Sequence, residues 1–292
     1  MSPRAVILGC AGPVLSEDER RLFNAGDPLG FILFARNVID PEQVRTLTAD
    51  LRASVGRADA PILIDQEGGR VQRLRPPHWR AAPPAARFGT IFARDPKAAC
   101  EAARLNARLI AVECLSLGID VICAPVGDVP GPDSHDVIGD RAFGRDPAAV
   151  IALAEATALG IADMGATPII KHLPGHGRAQ ADSHHELPIV TTSRADLLAV
   201  DVRVFKALAH LPWAITAHVR FTALDPERAG TISPTVIDFI RHQIGFAGVL
   251  ISDDLAMNAL GGDPESRAAA ALGAGCGWRW PRRRHNSDSP ST

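Results

Sequence analysis

One stretch of the chain reads Ala166-Thr167-Pro168-Ile169-Ile170-Lys171-His172-Leu173-Pro174-Gly175-His176-Gly177. Its first five residues are typical of a strand buried in a parallel sheet. A cation and two imidazoles then crowd a loop interrupted by Pro and Gly, and Asp182, His184 and His185 come shortly after. Ionisable side chains at the carboxyl end of a buried strand are typical of the active site of an α/β enzyme. A solvent-exposed loop rich in histidine is the simpler alternative.

The alternation of a short apolar run with a helical segment repeats along nearly the whole chain. Helical spacing of Ala, Leu, Arg and Glu predicts helices over residues 41–54, 96–117 and 147–164. Each begins with Asp-Pro, a favourable N-cap followed by proline in the first turn. The apolar runs predict seven strands, at residues 5–8, 29–34, 61–64, 121–124, 167–170, 214–217 and 248–252.

Strands that are apolar on both faces and separated by helices predict a parallel sheet covered on both sides. An open, doubly wound sheet fits this pattern, but no G-x-G-x-x-G follows the first strand. Because strand ends converge on one site in a barrel, the sequence favours an α/β fold of the TIM (β/α)₈-barrel type. The polar residues that follow different strands are Asp65, Asp128, Lys171-His172, His218 and Asp253.

The eighth strand–helix unit of such a barrel is missing from the pattern. Gly275-Cys276-Gly277 still fits, but residues 278–292 show no strand pattern and carry a basic run. We expect residues 1–277 to form the catalytic barrel and residues 278–292 to be a disordered tail. A nucleic-acid patch is the less favoured use of the basic run. A frameshift near Gly277 would explain the change, and the loss of the last strand would leave two strand edges unpaired.

Bulk composition limits the classes of protein to which the chain can belong. Its net charge of -2 and hydrophobic content of 46% suit a soluble globular protein and give no general attraction for nucleic acid or membranes. No stretch has the pattern of a secretory signal or a membrane-spanning helix. The five cysteines include no C-x-x-C pair, so neither a disulfide framework nor a thiolate zinc site is indicated. We expect a cytoplasmic monomer.

Two adjacent carboxylates, Asp253 and Asp254, follow the seventh predicted strand. A carboxylate there faces the mouth of a barrel and can act as a nucleophile, a base or a metal ligand. One of the pair is expected to cap the following segment. We assign Asp253 as the reactive group and Asp254 as structural support.

A carboxylate and an imidazole lie close together in the loop after the fifth predicted strand, at Asp182 and His184. The carboxylate can accept a hydrogen bond from one ring nitrogen and leave the other nitrogen for proton transfer. We therefore expect His184 to be a general acid/base. His185 lacks such a partner and is expected to be solvated.

Carboxylate and guanidinium groups cluster after the third predicted strand, where Asp65 is followed by a Gly pair, Arg70 and Arg73. Such groups are suited to hold sugar hydroxyls by charged hydrogen bonds. Arg141 occurs in a similar context in the segment 137–144. Each arginine taken alone could equally be a partner in an ordinary salt bridge.

Five segments together resemble the glycoside hydrolase family 3 β-N-acetylhexosaminidases, and specifically the bacterial cytoplasmic members that recycle peptidoglycan. The matching segments occur in the order of the family and are residues 64–73, 138–143, 171–177, 182–184 and 251–255.

The resemblance implies a two-step retaining mechanism. Asp253 matches the nucleophile that forms a covalent glycosyl-enzyme, and His184, oriented by Asp182, matches the acid/base. The family uses no metal or other cofactor. The implied substrate is N-acetylglucosamine β-linked to 1,6-anhydro-N-acetylmuramic acid, with or without its peptide. The residues implied to bind the N-acetylglucosamine unit are Asp65, Arg73, Arg141, Lys171 and His172.

Two other functions are compatible with the same residues. One is a metal-dependent barrel hydrolase with His172, His176, His184 and Asp253 as ligands, although the first strand lacks the H-x-H that such barrels commonly use. The other is a protein that binds sugar or muropeptide without turnover because its last barrel unit is missing.

Overall fold

The computed structural model describes residues 2–132, 134, 136–183 and 186–277 of the chain. Its strands are β1 (Arg4–Gly9), β2 (Pro28–Leu33), β3 (Ile62–Ile64), β4 (Gln66–Gly68), β5 (Val71–Gln72), β6 (Val121–Ile122), β7 (Thr167–Leu173), β8 (Ile189–Val190), β9 (Trp213–Thr216), β10 (Arg220–Phe221) and β11 (Val249–Ile251). Its α-helices are α1 (Glu17–Gly26), α2 (Pro41–Ser54), α3 (Ala85–Phe92), α4 (Pro96–Leu115), α5 (Pro147–Asp163), α6 (Arg194–Ala199), α7 (Asp201–Ala207), α8 (Pro234–Phe239) and α9 (Pro264–Ala274).

A seven-stranded parallel sheet organises the fold, with the strand order β1-β2-β3-β6-β7-β9-β11. These are the seven strands that the apolar runs predict, and the three predicted helices correspond to α2, α4 and α5. Asp40, Asp95 and Asp146 cap these helices, each through a side-chain oxygen that accepts a backbone N–H of the first turn. The Asp-Pro signal therefore marks all three helix starts.

The sheet is strongly curled, because side chains from all seven strands meet in one apolar cluster. In a flat sheet of seven strands, β1 and β11 would lie about 29 Å apart. The prediction of an α/β fold with a barrel-like sheet is confirmed at this level. The members of the cluster are Ile7, Ile32, Leu63, Val121, Cys123, Ile169, Trp213, Ile215 and Ile251.

Strand β7 extends beyond its predicted end, to Leu173. Lys171 and His172 therefore belong to the strand and not to the loop in which the sequence pattern placed them. Their polar side chains are buried, and each has a carboxylate partner that offsets the cost of burial. The register of β7 against β9 shifts between Lys171 and Leu173, and the Lys171–His172 peptide bond is cis.

The end of the described chain contacts the sheet at β11. The backbone N–H of Gly277 donates to the carbonyl of Leu250 at 2.6 Å, which forms an isolated antiparallel bridge. The predicted tail at residues 278–292 lies outside the described residues. Within the described residues, no helix is both long enough and apolar enough to cross a membrane.

Candidate active site

A buried lysine joins the ends of β3 and β7. Asp65 follows β3 directly, and Glu67 lies in the β4–β5 hairpin beside it. The ammonium Nζ of Lys171 is 2.8 Å from Oδ1 of Asp65 and 2.6 Å from Oε1 of Glu67. Because the Lys171 side chain is only 3% exposed, its charge depends on these two carboxylates.

Two arginines complete this group. Nη2 of Arg73 donates to Oδ2 of Asp65 at 3.0 Å. Arg141 binds Glu67 in a bidentate pair, with Nε and Nη2 each 2.9 Å from a carboxylate oxygen. We call Asp65, Glu67, Arg73, Arg141 and Lys171 the cationic cluster, since three cations face two carboxylates in it.

The pKa values of Asp65, Glu67 and Lys171 keep these three groups charged at neutral pH. Burial raises the pKa values of Asp65 and Glu67, but the neighbouring cations outweigh burial and hold both below their usual ranges. Burial lowers the pKa of Lys171, but the two carboxylates outweigh it and hold that pKa above its usual range. The cluster can therefore present fixed, charged hydrogen-bond donors to a ligand.

A fully buried carboxylate, Asp128, organises two imidazoles next to the cationic cluster. Its Oδ2 lies 2.6 Å from Nδ1 of His172, and its Oδ1 accepts the backbone N–H of His176 at 2.6 Å. The two imidazole centroids are 5.6 Å apart. Nε2 of His176 lies 3.2 Å from Oγ of Ser183. Asp128 thus fixes the orientation of His172 and the backbone that carries His176.

Asp253 is the carboxylate that this arrangement leaves available for chemistry. Its Oδ1 accepts the backbone N–H of Asp254 at 2.9 Å, and its Oδ2 lies 4.0 Å from Nε2 of His172. Burial raises the pKa of Asp253, but His172, the backbone N–H of Asp254 and Lys171 outweigh it and hold the pKa below its usual range. With 24% of its side chain exposed, Asp253 is an anion that a ligand can reach.

A buried histidine, His218, holds the segment after β11 in place by a hydrogen bond to its backbone. His218 bonds to Oγ1 of Thr231 through Nδ1 at 2.7 Å and to the carbonyl of Asp254 through Nε2 at 3.1 Å. Burial lowers the pKa of His218, which favours the neutral ring. Asp254 itself is exposed, and its Oδ1 accepts the backbone N–H of Ala256 at 2.9 Å. This is the supporting role that the sequence pattern predicts for the second aspartate.

The loop after β7 contains Asp182 and His184, the predicted acid/base pair. His184 and His185 lie outside the described residues. Asp182 is half-buried, Ser183 is buried, and the carbonyl of Asp182 accepts the backbone N–H of Glu186 at 3.1 Å. The pairing of Asp182 with His184 stays a prediction.

The structure brings together five residues that sequence patterns single out as site residues: Asp65, Arg73, Arg141, Lys171 and His172 all belong to the two connected groups described above. Three further residues lie at the site, and the sequence patterns assigned none of them a catalytic or binding role. Glu67 lies two residues after Asp65, and Asp128 and His218 each follow a predicted strand. Position at a strand end was the available signal for the last two.

The geometry is suited to attack by a carboxylate on a carbon held beside charged donors. Asp253 supplies the anion, while the cationic cluster and His172 supply hydrogen-bond donors around it. Within the described residues, no group of three His, Cys, Asp or Glu side chains is arranged to hold a metal ion. His184, one ligand of the predicted metal site, lies outside those residues.

Comparisons with known proteins agree on one family. The model of the glycosyl hydrolase family 3 N terminal domain matches residues 14–283. A beta-hexosaminidase of Aromatoleum aromaticum is 42% identical over 279 residues, which cover 93% of this chain and 77% of the relative. A beta-hexosaminidase of Bordetella avium is 40% identical over 282 residues, which cover 94% and 79% of the two chains.

A solved structure has the same architecture. The crystal structure of NagZ from Neisseria gonorrhoeae in complex with N-trifluoroacetyl-D-glucosamine superimposes with a TM-score of 0.87 at 35% sequence identity. The match covers 94% of this chain and 80% of that one.

Proposed function

Because this chain belongs to glycosyl hydrolase family 3, we propose that it releases terminal β-linked N-acetylglucosamine from muropeptides by a retaining mechanism. It is a glycoside hydrolase of the β-N-acetylhexosaminidase type. The observation that carries the mechanistic proposal is the Asp253 carboxylate, which is ionised, accessible and 4.0 Å from His172 beside the cationic cluster.

In the first step, Asp253 attacks the anomeric carbon and displaces the aglycone, which forms a covalent glycosyl-enzyme. His184, oriented by Asp182, donates a proton to the departing oxygen. In the second step, the neutral imidazole of His184 takes a proton from water, and the resulting nucleophile releases N-acetylglucosamine with its original anomeric configuration. No metal or other cofactor takes part in these steps.

We propose that the N-acetylglucosamine unit binds between the cationic cluster and His172. The charged oxygens and nitrogens of this region match the many hydroxyl groups of a sugar, and the relative from N. gonorrhoeae binds an N-acylated glucosamine. We further propose that the aglycone is 1,6-anhydro-N-acetylmuramic acid and that the protein acts as a cytoplasmic monomer. The proposed sugar-binding residues are Asp65, Arg73, Arg141, Lys171 and His172.

Trapping of the covalent intermediate tests the central assignment. A fluorinated N-acetylglucosamine analogue with a good leaving group should label the protein once, and peptide mass spectrometry should locate the label on Asp253. A label on Asp254 or any other residue would refute the assignment. Asp253→Asn should abolish turnover, whereas Asp263→Asn should not, because Asp263 is an exposed cap of α9 and asparagine caps as well.

Four further measurements separate the alternatives. Proton NMR should detect β-N-acetylglucosamine as the first product, whereas the α-anomer would exclude a retaining mechanism. Activity that survives exhaustive chelation removes the metal-dependent hydrolase. Binding without turnover of a chromogenic N-acetyl-β-glucosaminide would support the non-catalytic alternative. A higher kcat/KM for the anhydro-disaccharide than for the chromogenic glycoside is expected if the muropeptide is the substrate.

A further inference from the structure

Two buried side chains near the site, His176 and Ser183, have no part in the proposed chemistry. Each residue is only 3% exposed, and Nε2 of His176 lies 3.2 Å from Oγ of Ser183. Ser183 lies between Asp182 and His184 in the sequence. A contact at Ser183 therefore acts directly on the backbone that carries the proposed acid/base.

We propose that His176 and Ser183 are positioning residues, whose hydrogen bond fixes Ser183, the residue between Asp182 and the proposed acid/base in the sequence. We further propose that Asp128 sets this position relative to the nucleophile. The inference rests on the proposed function, because it takes His184 as the acid/base and Asp253 as the nucleophile.

Asp128 contacts both His172, which lies beside the proposed nucleophile, and His176, which contacts Ser183. Oδ2 fixes the ring of His172, whose other nitrogen is 4.0 Å from Asp253. Oδ1 fixes the backbone of His176, whose ring contacts Ser183. Because Asp128 is completely buried, no solvent competes for either oxygen. A single carboxylate therefore relates the position of the nucleophile to that of the acid/base segment.

The contact between His176 and Ser183 acts by geometry and not by charge. Burial and the neighbouring His172 lower the pKa of His176 to about 4, so this imidazole is neutral at neutral pH. A neutral hydrogen bond between two buried groups restricts where the chain can lie. Its loss should displace the acid/base and leave the charge of the nucleophile unchanged.

Two contacts hold the first part of the loop. The carbonyl of Gly177 accepts the backbone N–H of Gly131 at 3.2 Å, and Nε of Arg178 donates to Oδ2 of Asp201 at 2.6 Å. These contacts fix the base of the loop. Ser183 is five residues beyond Arg178 and adjacent to His184 in the sequence, so its hydrogen bond acts on the chain directly before the acid/base.

Leaving-group dependence tests the inference. A 2,4-dinitrophenyl glycoside expels its leaving group without a proton, whereas a 4-methylumbelliferyl glycoside benefits from the acid. For Ser183→Ala, we expect kcat/KM to fall roughly tenfold or more with the umbelliferyl substrate and to stay within about threefold with the dinitrophenyl substrate, since a small displacement of a catalytic group is costly. His184→Ala should show the same selectivity more strongly.

Matched variants distinguish positioning from a general loss of stability. Ser54→Ala removes another buried, hydrogen-bonded serine, from α2. It should leave kcat/KM unchanged for both substrates. Ser183→Thr and His176→Gln keep a hydroxyl and a side-chain hydrogen-bonding group, and both should retain most of the umbelliferyl activity. Thermal unfolding of each variant verifies that the protein is folded.

Each outcome decides between the inference and the function on which it rests. Suppose that His184→Ala loses activity selectively with the umbelliferyl substrate. If Ser183→Ala then resembles the wild type, or lowers kcat/KM equally for both substrates, the positioning inference is wrong and the proposed function stands. If the wild type is inactive, or His184→Ala shows no selectivity, both are wrong. Selective loss in Ser183→Ala with retention in Ser183→Thr supports the inference.

Discussion

Replacement of Glu67 by glutamine is a direct test of the cationic cluster. The substitution preserves the size of the side chain and removes its charge. Arg141 then loses its bidentate carboxylate, and Lys171 keeps only Asp65 as an anionic partner. Two buried cations are left with too little negative charge nearby, which is the situation in which a broken ion pair costs most.

The size of the effect follows from the distances. At 2.6 Å and an effective dielectric constant of about 20, the attraction between Glu67 and Lys171 is about 6 kcal/mol. The bidentate pair with Arg141 adds a similar attraction, and the desolvation of the three groups offsets much of the total. We expect Glu67→Gln to lower the free energy of unfolding by about 3–5 kcal/mol at pH 7, as is typical when one partner of a buried pair is removed.

Urea unfolding of Glu67→Gln and of a control, Glu113→Gln, measures this effect. Glu113 is also partly buried, but its nearest cation, Arg80, is 3.7 Å away, so its loss should cost about 1 kcal/mol or less. Because the pKa of Glu67 is lowered on folding, its contribution is present above its ordinary pKa of 4.5 and disappears as the pH falls below that value. A loss below about 1 kcal/mol, or equal losses in the two variants, would refute the reasoning.

Two other predictions concern the base of the catalytic loop. Burial raises the pKa of Asp201 to about 6, although Arg178 opposes the shift. The protonated Asp201 side chain therefore contributes fully to folding stability below its ordinary pKa of 3.8, and this contribution disappears as the pH rises through about 6. Relative to Asp201→Asn, the wild type should gain about 2 kcal/mol between pH 7 and pH 4 in urea unfolding, and a flat difference would contradict this. Gly177→Ala should lose about 1–3 kcal/mol, because a Cβ would lie 2.2 Å from the carbonyl oxygen of Val129. Gly261→Ala, which meets no atom within 4 Å, should unfold at nearly the wild-type midpoint.

The strands and the main helices could be predicted because their signals are local. An apolar run of four residues or an Asp-Pro dipeptide carries its structural meaning within a few positions. Strand β7 was predicted too short, because Lys171 and His172 are polar and only their distant partners explain their burial. The partner Asp65 is 106 positions away from Lys171, a distance at which periodicity carries no signal.

The roles of Glu67 and Asp128 could not be predicted for a related reason. Glu67 lies in a hairpin of two very short strands, and its partner Arg141 is 74 positions away. Asp128 lies six residues beyond the end of β6 in an irregular segment, so alternation along the strand does not indicate where its side chain lies. The position of Asp128 after a strand places it at the site, but the partners that define the roles of both residues are known only from the tertiary fold.

Consecutive residues of β7 belong to the two groups that form the site. Lys171 joins the cationic cluster, and His172 joins the chain that runs from Asp253 through Asp128 to Ser183. Alternation in a strand would direct these neighbours to opposite faces, but the register shift of β7 at this point lets both reach the site. The separation between the proposed sugar-binding groups and the proposed nucleophile is thus set by one short piece of backbone. A change in that backbone should alter kcat and KM together, whereas loss of the Ser183 hydroxyl should alter only the proton-dependent step.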